Sequence, residues 1–459
     1  MAQAGTFPQH ALYHPRGSPS GAEPVPPHEE LARSNIDSPA LERIFLLAGS
    51  LYLGIYAVEA PLRYLLFLAG KDSLILLRDG LIFGSLALLL CAQALRLRLH
   101  PAFTLFGTLL AFHGLVLIGT MGSIAGAAYG VKVLVNLLFG YFLAARLLQP
   151  SKRLFVFLAL IWIVTLIGGG LDKFVMTFPW TGIKTVVGGI DVDVSRDWDI
   201  ADPLSRRVAG FTRSSICIAV LLPPLAIILL SRVKRWLWRA ALIAMTMGGV
   251  AITTQKGALA AFAPVALILL FPEGRRLFWL RLCCIGFLIL AVSLPFLVMD
   301  LHMSHGYGVF SAASFYIRMA YSWPAAWQWI DHHQMLVFGV GLGGIGGAQR
   351  LFAPDNFNPA DNMFILLYAY FGVFAIVYLL AIVYLVLRPN AGSTDRAVTA
   401  IGILAFSFGY GAVLSMIEDQ AAALLIGAAV GALMRESTAA VEVSARRPSF
   451  AMPSAASRF

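Results

Sequence analysis

The stretch "AITTQKGALAAFAP" (251–264) places a single lysine, Lys256, between two apolar runs. Apolar runs of about 17 to 25 residues are long enough for a helix to cross the hydrocarbon core of a bilayer. A charged side chain among such runs is costly unless it lies at a membrane boundary or faces a polar partner. The stretch therefore predicts a membrane protein and makes Lys256 a candidate functional residue.

The composition of the whole chain supports this interpretation. Of its 459 residues, 59% are hydrophobic and 13% are charged, and the mean hydropathy is +0.79, values far from those of soluble domains. The net charge of +10 does not indicate nucleic acid, because basic residues mainly set the orientation of a hydrophobic chain in the bilayer. The four cysteines show no metal-ligand or redox spacing. We expect no nucleic-acid partner, no metal and no cofactor.

Twelve apolar segments fit a transmembrane template. They lie near 43–60, 73–94, 101–121, 130–148, 154–171, 209–231, 236–254, 257–271, 277–298, 361–387, 396–416 and 419–435. The loops after every second span are rich in Lys and Arg, which makes them cytoplasmic. The predicted fold is an all-α polytopic membrane protein with both termini in the cytoplasm. It has a disordered tail over 1–42, a transmembrane domain over 43–435 and a second tail over 436–459.

This topology leaves two long loops on the outer side, at 172–208 and, between helices 9 and 10, at 299–360. Loops of this length are often functional. The positive-inside rule disfavours cations on the outer side. The cations placed there by the predicted topology are Arg206, Arg207, Arg213, Lys256, Arg318 and Arg350.

Two explanations account for the outer cations. One is an anionic ligand such as a lipid-linked diphosphate, since Arg and Lys bind phosphate strongly where water is partly excluded. The other is that each cation pairs with a nearby acid or reaches the lipid phosphates by snorkelling. Candidate pairs are Arg207 with Asp202 and Arg318 with Asp300.

Five short motifs follow one another in the second half of the chain. They are "SRRVAGFTRSS" (205–215), "TTQKGA" (253–258), "SFYIRMAYSWPAAWQWI" (314–330), "FGVGLGGIGG" (338–347) and "NPADNMFILLYAYFGVFA" (358–375). In this order they resemble the O-antigen ligase and polymerase superfamily, membrane glycosyltransferases that use undecaprenyl-diphosphate-linked glycans. The resemblance covers roughly residues 200 to 387.

The resemblance implies positions for the reacting groups. The matches are Arg207 with Gly210, Lys256 with Gly257, Arg318 with Trp323, the glycines from Gly339 to Gly347, and Asp361 with Asn362. Lys256 stands where the family has an arginine, which keeps the charge but loses the bidentate fork. Asp361 stands where ligases acting on lipid A-core usually have a histidine, and this change favours a polymerase.

In the implied mechanism, Lys256 and Arg318, with Arg207, hold the donor's diphosphate and stabilise its charge as the anomeric carbon–oxygen bond breaks. Asp361 accepts the proton of the acceptor hydroxyl, and the transfer is inverting and independent of metal. The other candidate substrate-binding residues are Arg213, Asn362, Trp323, Trp327, Gly341 and Gly343. The tryptophans are either interfacial anchors or sugar-stacking platforms.

We therefore expect a polysaccharide polymerase of the bacterial inner membrane that joins undecaprenyl-diphosphate-linked repeats at the periplasmic face. Its implied partners are the glycan donor, the glycan acceptor and the lipid bilayer, with a chain-length regulator as an optional addition. Two alternatives stay open. One is a ligase that moves glycan to lipid A-core or another acceptor, and the other is a transporter or flippase for lipid-linked sugars, since many transporters share this span count.

Overall fold

The computed structural model describes residues 36, 38–187, 190–197, 206–297, 313–333, 335–388 and 394–446. Most of these residues are helical, and the sheet they contain is a single two-stranded hairpin. The predicted N-terminal tail lies almost wholly outside them, but the first helix begins at Pro39, inside the predicted limit of residue 42. At the other end, the last helix continues to Arg446, beyond the predicted start of the second tail at residue 436.

The first half of the chain forms six α-helices and the hairpin. The helices are α1 (Pro39–Ala57), α2 (Glu59–Leu68), α3 (Leu77–Leu95), α4 (Pro101–Met121), α5 (Ile124–Leu147) and α6 (Lys152–Phe174), with a 3-10 helix at Asp72–Leu76 before α3. The strands β1 (Lys184–Val187) and β2 (Ile190–Asp193) pair in antiparallel fashion, with Lys184 opposite Asp193. The hairpin lies within the predicted outer loop 172–208.

The second half begins with four helices, α7 (Ser215–Leu230), α8 (Trp236–Ile252), α9 (Lys256–Leu269) and α10 (Glu273–Leu297). Four further helices follow, α11 (Ala313–Ile317), α12 (Trp323–His332), α13 (Met363–Phe371) and α14 (Phe374–Leu387). The last two helices are α15 (Thr394–Gly411) and α16 (Gln420–Arg446). A π-helical turn, Arg318–Ser322, joins α11 to α12, and 3-10 turns lie at Gly346–Leu351, Pro354–Asn356 and Met416–Glu418.

Several helices have the length and apolarity needed to cross a membrane. Among the described residues there are six such helices, Pro39–Ala57, Asp72–Leu95, Pro101–Met121, Ile124–Leu147, Lys152–Phe174 and Glu273–Phe296. Shorter apolar helices are Ser215–Leu230, Trp236–Ile252, Lys256–Leu269, Phe374–Leu387 and Gln420–Arg435. These findings support an all-α membrane protein, while the count of twelve spans stays a prediction.

The predicted span 361–387 is not one continuous helix. It divides into α13 and α14 at Gly372, whose φ of +58° is in the left-handed region. A side chain there is also excluded by space, since a Cβ atom on Gly372 would lie 2.1 Å from the carbonyl oxygen of Val337. The apolar pattern continues on both sides of Gly372, so it does not predict this break.

Helices α5 and α16 pack with their backbones unusually close. A Cβ atom on Gly140 would lie 1.9 Å from the carbonyl oxygen of Leu424, and one on Gly427 would lie 2.0 Å from that of Leu137. Small residues allow such close approach between membrane helices, where van der Waals packing replaces the hydrophobic effect as the main attraction. The α5–α16 pair therefore depends on glycine at both positions.

We predict opposite effects for two glycine-to-alanine substitutions. Gly427→Ala should destabilise the protein by about 1–3 kcal/mol, because the added methyl group has no space at the α5–α16 contact. Gly107→Ala in α4 is the matched control, since nothing lies within 4 Å of its Cβ position, and it should be neutral or stabilising by up to about 1 kcal/mol. Thermal unfolding in detergent measures both, and equal melting temperatures for the two variants would contradict the packing described.

Candidate functional site

Two of the three predicted catalytic residues lie in contact. The Nε atom of Arg318, in the π-helical turn, is 3.1 Å from Oδ2 of Asp361, which precedes α13. Arg318 also donates from Nη1 to the carbonyl oxygen of Ser314, at 3.2 Å. The structure therefore brings together residues of two separate motifs as an ion pair. The alternative partner considered for Arg318, Asp300, lies outside the described residues.

The backbone that carries Asp361 is strained. Ala360 and Asp361 have φ values of +61° and +47°, a region that residues other than glycine rarely adopt. Such a conformation costs on the order of 1–3 kcal/mol per residue and persists only where the surroundings enforce it. The side chain of Asn358 enforces it here, since its Oδ1 accepts from Ala360 N at 2.8 Å and its Nδ2 donates to the Ser322 carbonyl at 2.7 Å.

Asn362 holds the other side of the same turn. Its Oδ1 accepts from the backbone N–H of Ile365 at 3.0 Å, which caps the N-terminus of α13. Its Nδ2 donates to the carbonyl oxygens of Ala291 at 3.0 Å and Ala412 at 2.9 Å. The fully buried amide thus ties α13 to α10 and α15. This arrangement gives Asn362 a positioning role, and the predicted substrate contact stays a prediction.

Lys256, the third predicted catalytic residue, is the exposed first residue of α9. The positive charge of Arg207 acts on it, so these two predicted cations are neighbours. The turn before α9 contains Thr254 in a left-handed conformation, at a φ of +56°. It is anchored by Gln255, whose Nε2 donates to Ser215 Oγ at 3.0 Å.

Tyr410 connects the two halves of the candidate site. Its hydroxyl donates to Oε1 of Gln255 at 3.1 Å, next to Lys256. The charges of Arg318 and Asp361 also act on the Tyr410 side chain. Sequence reasoning missed this residue, because a lone tyrosine in an apolar run is typical of a packed core. Its position makes it the link between the Lys256 turn and the Arg318–Asp361 pair.

Arg206 organises the loop that carries the other predicted cations. Its Nη2 lies 2.6 Å from Asp172 Oδ1 and 2.7 Å from Asp197 Oδ2. Asp172 in turn accepts from the backbone N–H of Gly210 at 2.8 Å. Arg206 is therefore a structural residue, whereas Arg207 is half-buried and Arg213 is exposed. The acid considered as a partner for Arg207, Asp202, lies outside the described residues.

The glycine-rich segment packs against α4 and α5. Gly341 and Gly343 have φ values of +104° and +90°. Cβ atoms on them would lie 2.3 Å from Leu117 N and 2.3 Å from Gly126 O, respectively. Both residues are buried. Their glycine identity is thus explained by close backbone packing, and substrate contact by either one stays a prediction.

The predicted sugar-stacking residues are largely enclosed. Trp323 is 1% exposed, and its Nε1 donates to the Asp361 carbonyl at 3.4 Å. Trp327 is half-buried, with its ring 5.2 Å from Phe296 and 5.3 Å from Tyr368, measured between centroids. Trp323 therefore supports the Asp361 turn. Stacking of a sugar on either ring stays a prediction.

Glu418 is a second carboxyl group near Asp361 that sequence reasoning missed. Its Oε1 accepts from the backbone N–H of Gly347 at 2.7 Å, which ties the turn before α16 to the glycine-rich segment. Burial, together with the charge of Asp361, raises the pKa of the Glu418 carboxyl to a net value of about 7. The Gly347 N–H and the charge of Arg350 partly offset that rise.

The pKa of Asp361 is also raised. Burial disfavours its carboxylate, and the neighbouring Arg318 guanidinium opposes that effect. A carboxylate with a raised pKa is a stronger proton acceptor, as a general base requires. Among the described residues, no group of three or more His, Cys, Asp or Glu side chains is placed to hold a metal ion.

Comparison with known proteins adds no family assignment. A scan of protein-family models finds none that matches this chain, and a search of curated proteins finds no match. The likeness to the glycosyltransferase superfamily therefore rests on the five motifs and on the geometry of their residues.

We predict that Arg318→Ala raises the pKa of Asp361 further, because it removes the cation that favours the carboxylate. The pH midpoint of carbodiimide labelling at Asp361, read by mass spectrometry, should move upward by about one pH unit or more. Arg350→Ala is the control, since the charge of Arg350 acts on Glu418, and it should leave the Asp361 midpoint unchanged. An unchanged midpoint in Arg318→Ala would show that the ion pair is absent in solution.

We predict that Glu418→Gln alters stability in a pH-dependent way. Because the pKa of Glu418 is raised in the folded protein, the stability that its carboxyl contributes is fully present below about pH 4.5 and is lost as the pH rises to about 7. Wild type and variant should therefore melt together at pH 4, and the variant should be more stable above pH 7. The difference should reach about 3.5 kcal/mol, at about 1.4 kcal/mol per pKa unit over a shift from 4.5 to about 7. A gap that is constant across this range would contradict the assignment.

Proposed function

We propose that this protein is a polysaccharide polymerase that joins undecaprenyl-diphosphate-linked repeats by inverting glycosyl transfer. The observation that carries the proposal is the contact between Arg318 and Asp361, at 3.1 Å, beside the Lys256 turn. These residues come from separate motifs of the same resemblance and meet in space. A strained backbone at Asp361 adds support, because such strain is concentrated at functional sites.

In the proposed reaction, Asp361 accepts the proton of an acceptor hydroxyl, which attacks the anomeric carbon of the donor. The bond from that carbon to the diphosphate oxygen breaks, and undecaprenyl diphosphate leaves with the bonding electrons. Lys256 and Arg207 stabilise the charge that develops on the leaving group. General-base help of this kind contributes about 10²- to 10⁴-fold.

The ion pair revises the role of Arg318 within this proposal. Because Arg318 contacts Asp361 directly, we assign it to orienting the carboxylate and holding it ionised. Lys256 and Arg207 then bind the diphosphate. The hydrogen-bonded residues Tyr410 and Gln255 separate these two cations from the Arg318–Asp361 pair. This division fits an inverting transfer, since the base and the leaving-group cations act on opposite faces of the anomeric carbon.

The proposed topology has twelve crossings, both termini in the cytoplasm of the bacterium and the site at the periplasmic face of the inner membrane. The crossings are α1, α3, α4, α5, α6, α7, α8, α9, α10, α13 with α14, α15 and α16. This count agrees with the distribution of Lys and Arg among the connecting loops. It also assigns the segments that carry Arg207, Lys256, Arg318 and Asp361 to one side of the membrane.

The test uses the purified full-length protein with an undecaprenyl-diphosphate-linked oligosaccharide repeat and a chelator. We expect a ladder of longer glycans on a gel. Asp361→Asn and Lys256→Ala should each reduce the rate about 10²-fold or more. The matched controls are Asp355→Asn and Lys184→Ala, which change exposed residues of the same types and should retain wild-type rates.

Other outcomes would replace the proposal. Product that forms only when lipid A-core or another acceptor is added would identify a ligase. Intact substrate that changes leaflet in liposomes would identify a flippase. A ladder of wild-type yield from inserted Asp361→Asn would remove the proposed base from the mechanism.

A further inference from the structure

A second cluster of charges lies around Glu59, the first residue of α2. Glu59 is 2% exposed, and its Oε1 accepts from Arg63 Nε at 2.7 Å while its Oε2 accepts from Arg78. Arg78 also contacts Asp79, whose Oδ2 lies 2.6 Å from Lys132 Nζ. Each of these two carboxylates therefore already serves two cations.

A further cation, Arg213, reaches the same cluster from the outer loop. The loop that carries Arg213 contacts the start of α2, where Ala60 N donates to the Phe211 carbonyl oxygen at 3.0 Å. The charge of Arg213 acts on both Glu59 and Arg63. Among the described residues, no acid lies within ion-pair distance of the Arg213 guanidinium. The nearby Asp419 is occupied, because its oxygens accept from Tyr56 at 2.5 Å and from the first backbone N–H groups of α16.

The cluster also contains a buried donor group without an acceptor. Nη1 of Arg63 is enclosed and has no hydrogen-bond partner. The residue as a whole is 7% exposed. Leaving a buried charged donor such as this unpaired is strongly unfavourable. An anionic ligand with oxygen acceptors would satisfy Arg63 and Arg213 together.

Helix α2 places an apolar surface beside these charges. It has ten residues and is about 15 Å long, half the thickness of the hydrocarbon core. One face buries Glu59 and Arg63, while Leu65 and Leu68 on the other side are exposed. Phosphate-binding charges and an apolar surface therefore lie side by side on one short helix.

The second cluster is separate from the Arg318–Asp361 pair. Between them lies the turn that precedes α16, where Ser415 Oγ donates to the Pro359 carbonyl at 3.0 Å and Asp419 accepts from Tyr56. The cation that acts on Asp361 is Arg318, whereas those acting on Glu59 are Arg78, Arg63 and Arg213. One turn thus contacts both clusters.

We propose that Arg63 and Arg213 bind the diphosphate of a second polyprenyl-linked substrate, with its lipid chain along the apolar side of α2. The lipid-linked identity of the ligand rests on the proposed function, because a polymerase must hold a donor and an acceptor that both carry a polyprenyl diphosphate. The Lys256 site then holds the donor, and the Arg213 site holds the acceptor.

The test counts bound lipids by native mass spectrometry of the delipidated full-length protein with undecaprenyl diphosphate as the probe. We expect two molecules on the wild type and one on Arg213→Ala, with the second affinity reduced about tenfold or more. Lys256→Ala should also bind one, at the other site, and Lys184→Ala should bind two. Arg213→Lys, which keeps the charge, should restore part of the second affinity and shows that the loss is not caused by misfolding.

Several results would overturn the inference. These are one lipid on the wild type, two on Arg213→Ala, or equal occupancy of the second site by inorganic pyrophosphate or phosphatidylglycerol. The lipid count does not depend on turnover. Two bound lipids without polymer formation would refute the proposed function and keep the second site, whereas polymer formation with one bound lipid would do the reverse.

Discussion

The requirement that every charge among the apolar helices has a partner constrains this structure more than any other feature. Water is absent from the bilayer core, so an unpaired charge there is strongly disfavoured. The Glu59 carboxylate meets this requirement by joining α2 to α3 through Arg78, which also reaches Gln420 at the start of α16. Because α16 packs closely on α5, the polar contacts at this end of the bundle fix the helices that surround the candidate site.

The candidate site combines a rigid framework with a strained turn. The side-chain oxygens of Asn358 and Asn362 accept hydrogen bonds from backbone N–H groups on both sides of Asp361. Trp323 adds a hydrogen bond from its Nε1 to the Asp361 carbonyl of the same turn. The backbone that carries the carboxylate is therefore fixed on both sides, and in the proposed reaction this would reduce the reorganisation needed during proton transfer.

The sequence predicted the helical membrane class and named candidate site residues, but it did not indicate how those residues are paired. Apolar length predicted the membrane class because a run of about 20 apolar residues is long enough for a helix to cross the bilayer. Arg318 and Asp361 were named by motif in separate roles, and Asp300 was the acid considered as a partner for Arg318, whereas the fold brings Asp361 within 3.1 Å of it. The Gly372 break, the Tyr410 bridge and the Glu418 contact depend on tertiary packing, for which an apolar pattern carries no signal. The second cluster was not predicted, although the charges at Glu59 and Arg63, four residues apart on one helix, are a signal that could have indicated it.

The sharing of Glu59 between two arginines limits which substitutions this cluster can accept during evolution. Losing one member of a buried charged group leaves the others uncompensated, at a cost of about 3–5 kcal/mol. A chain that replaces Glu59 must therefore replace Arg63 and Arg78 as well, or acquire another acid beside them. Homologous chains should consequently inherit the three positions together, either all charged or all apolar, with few intermediates between these two forms.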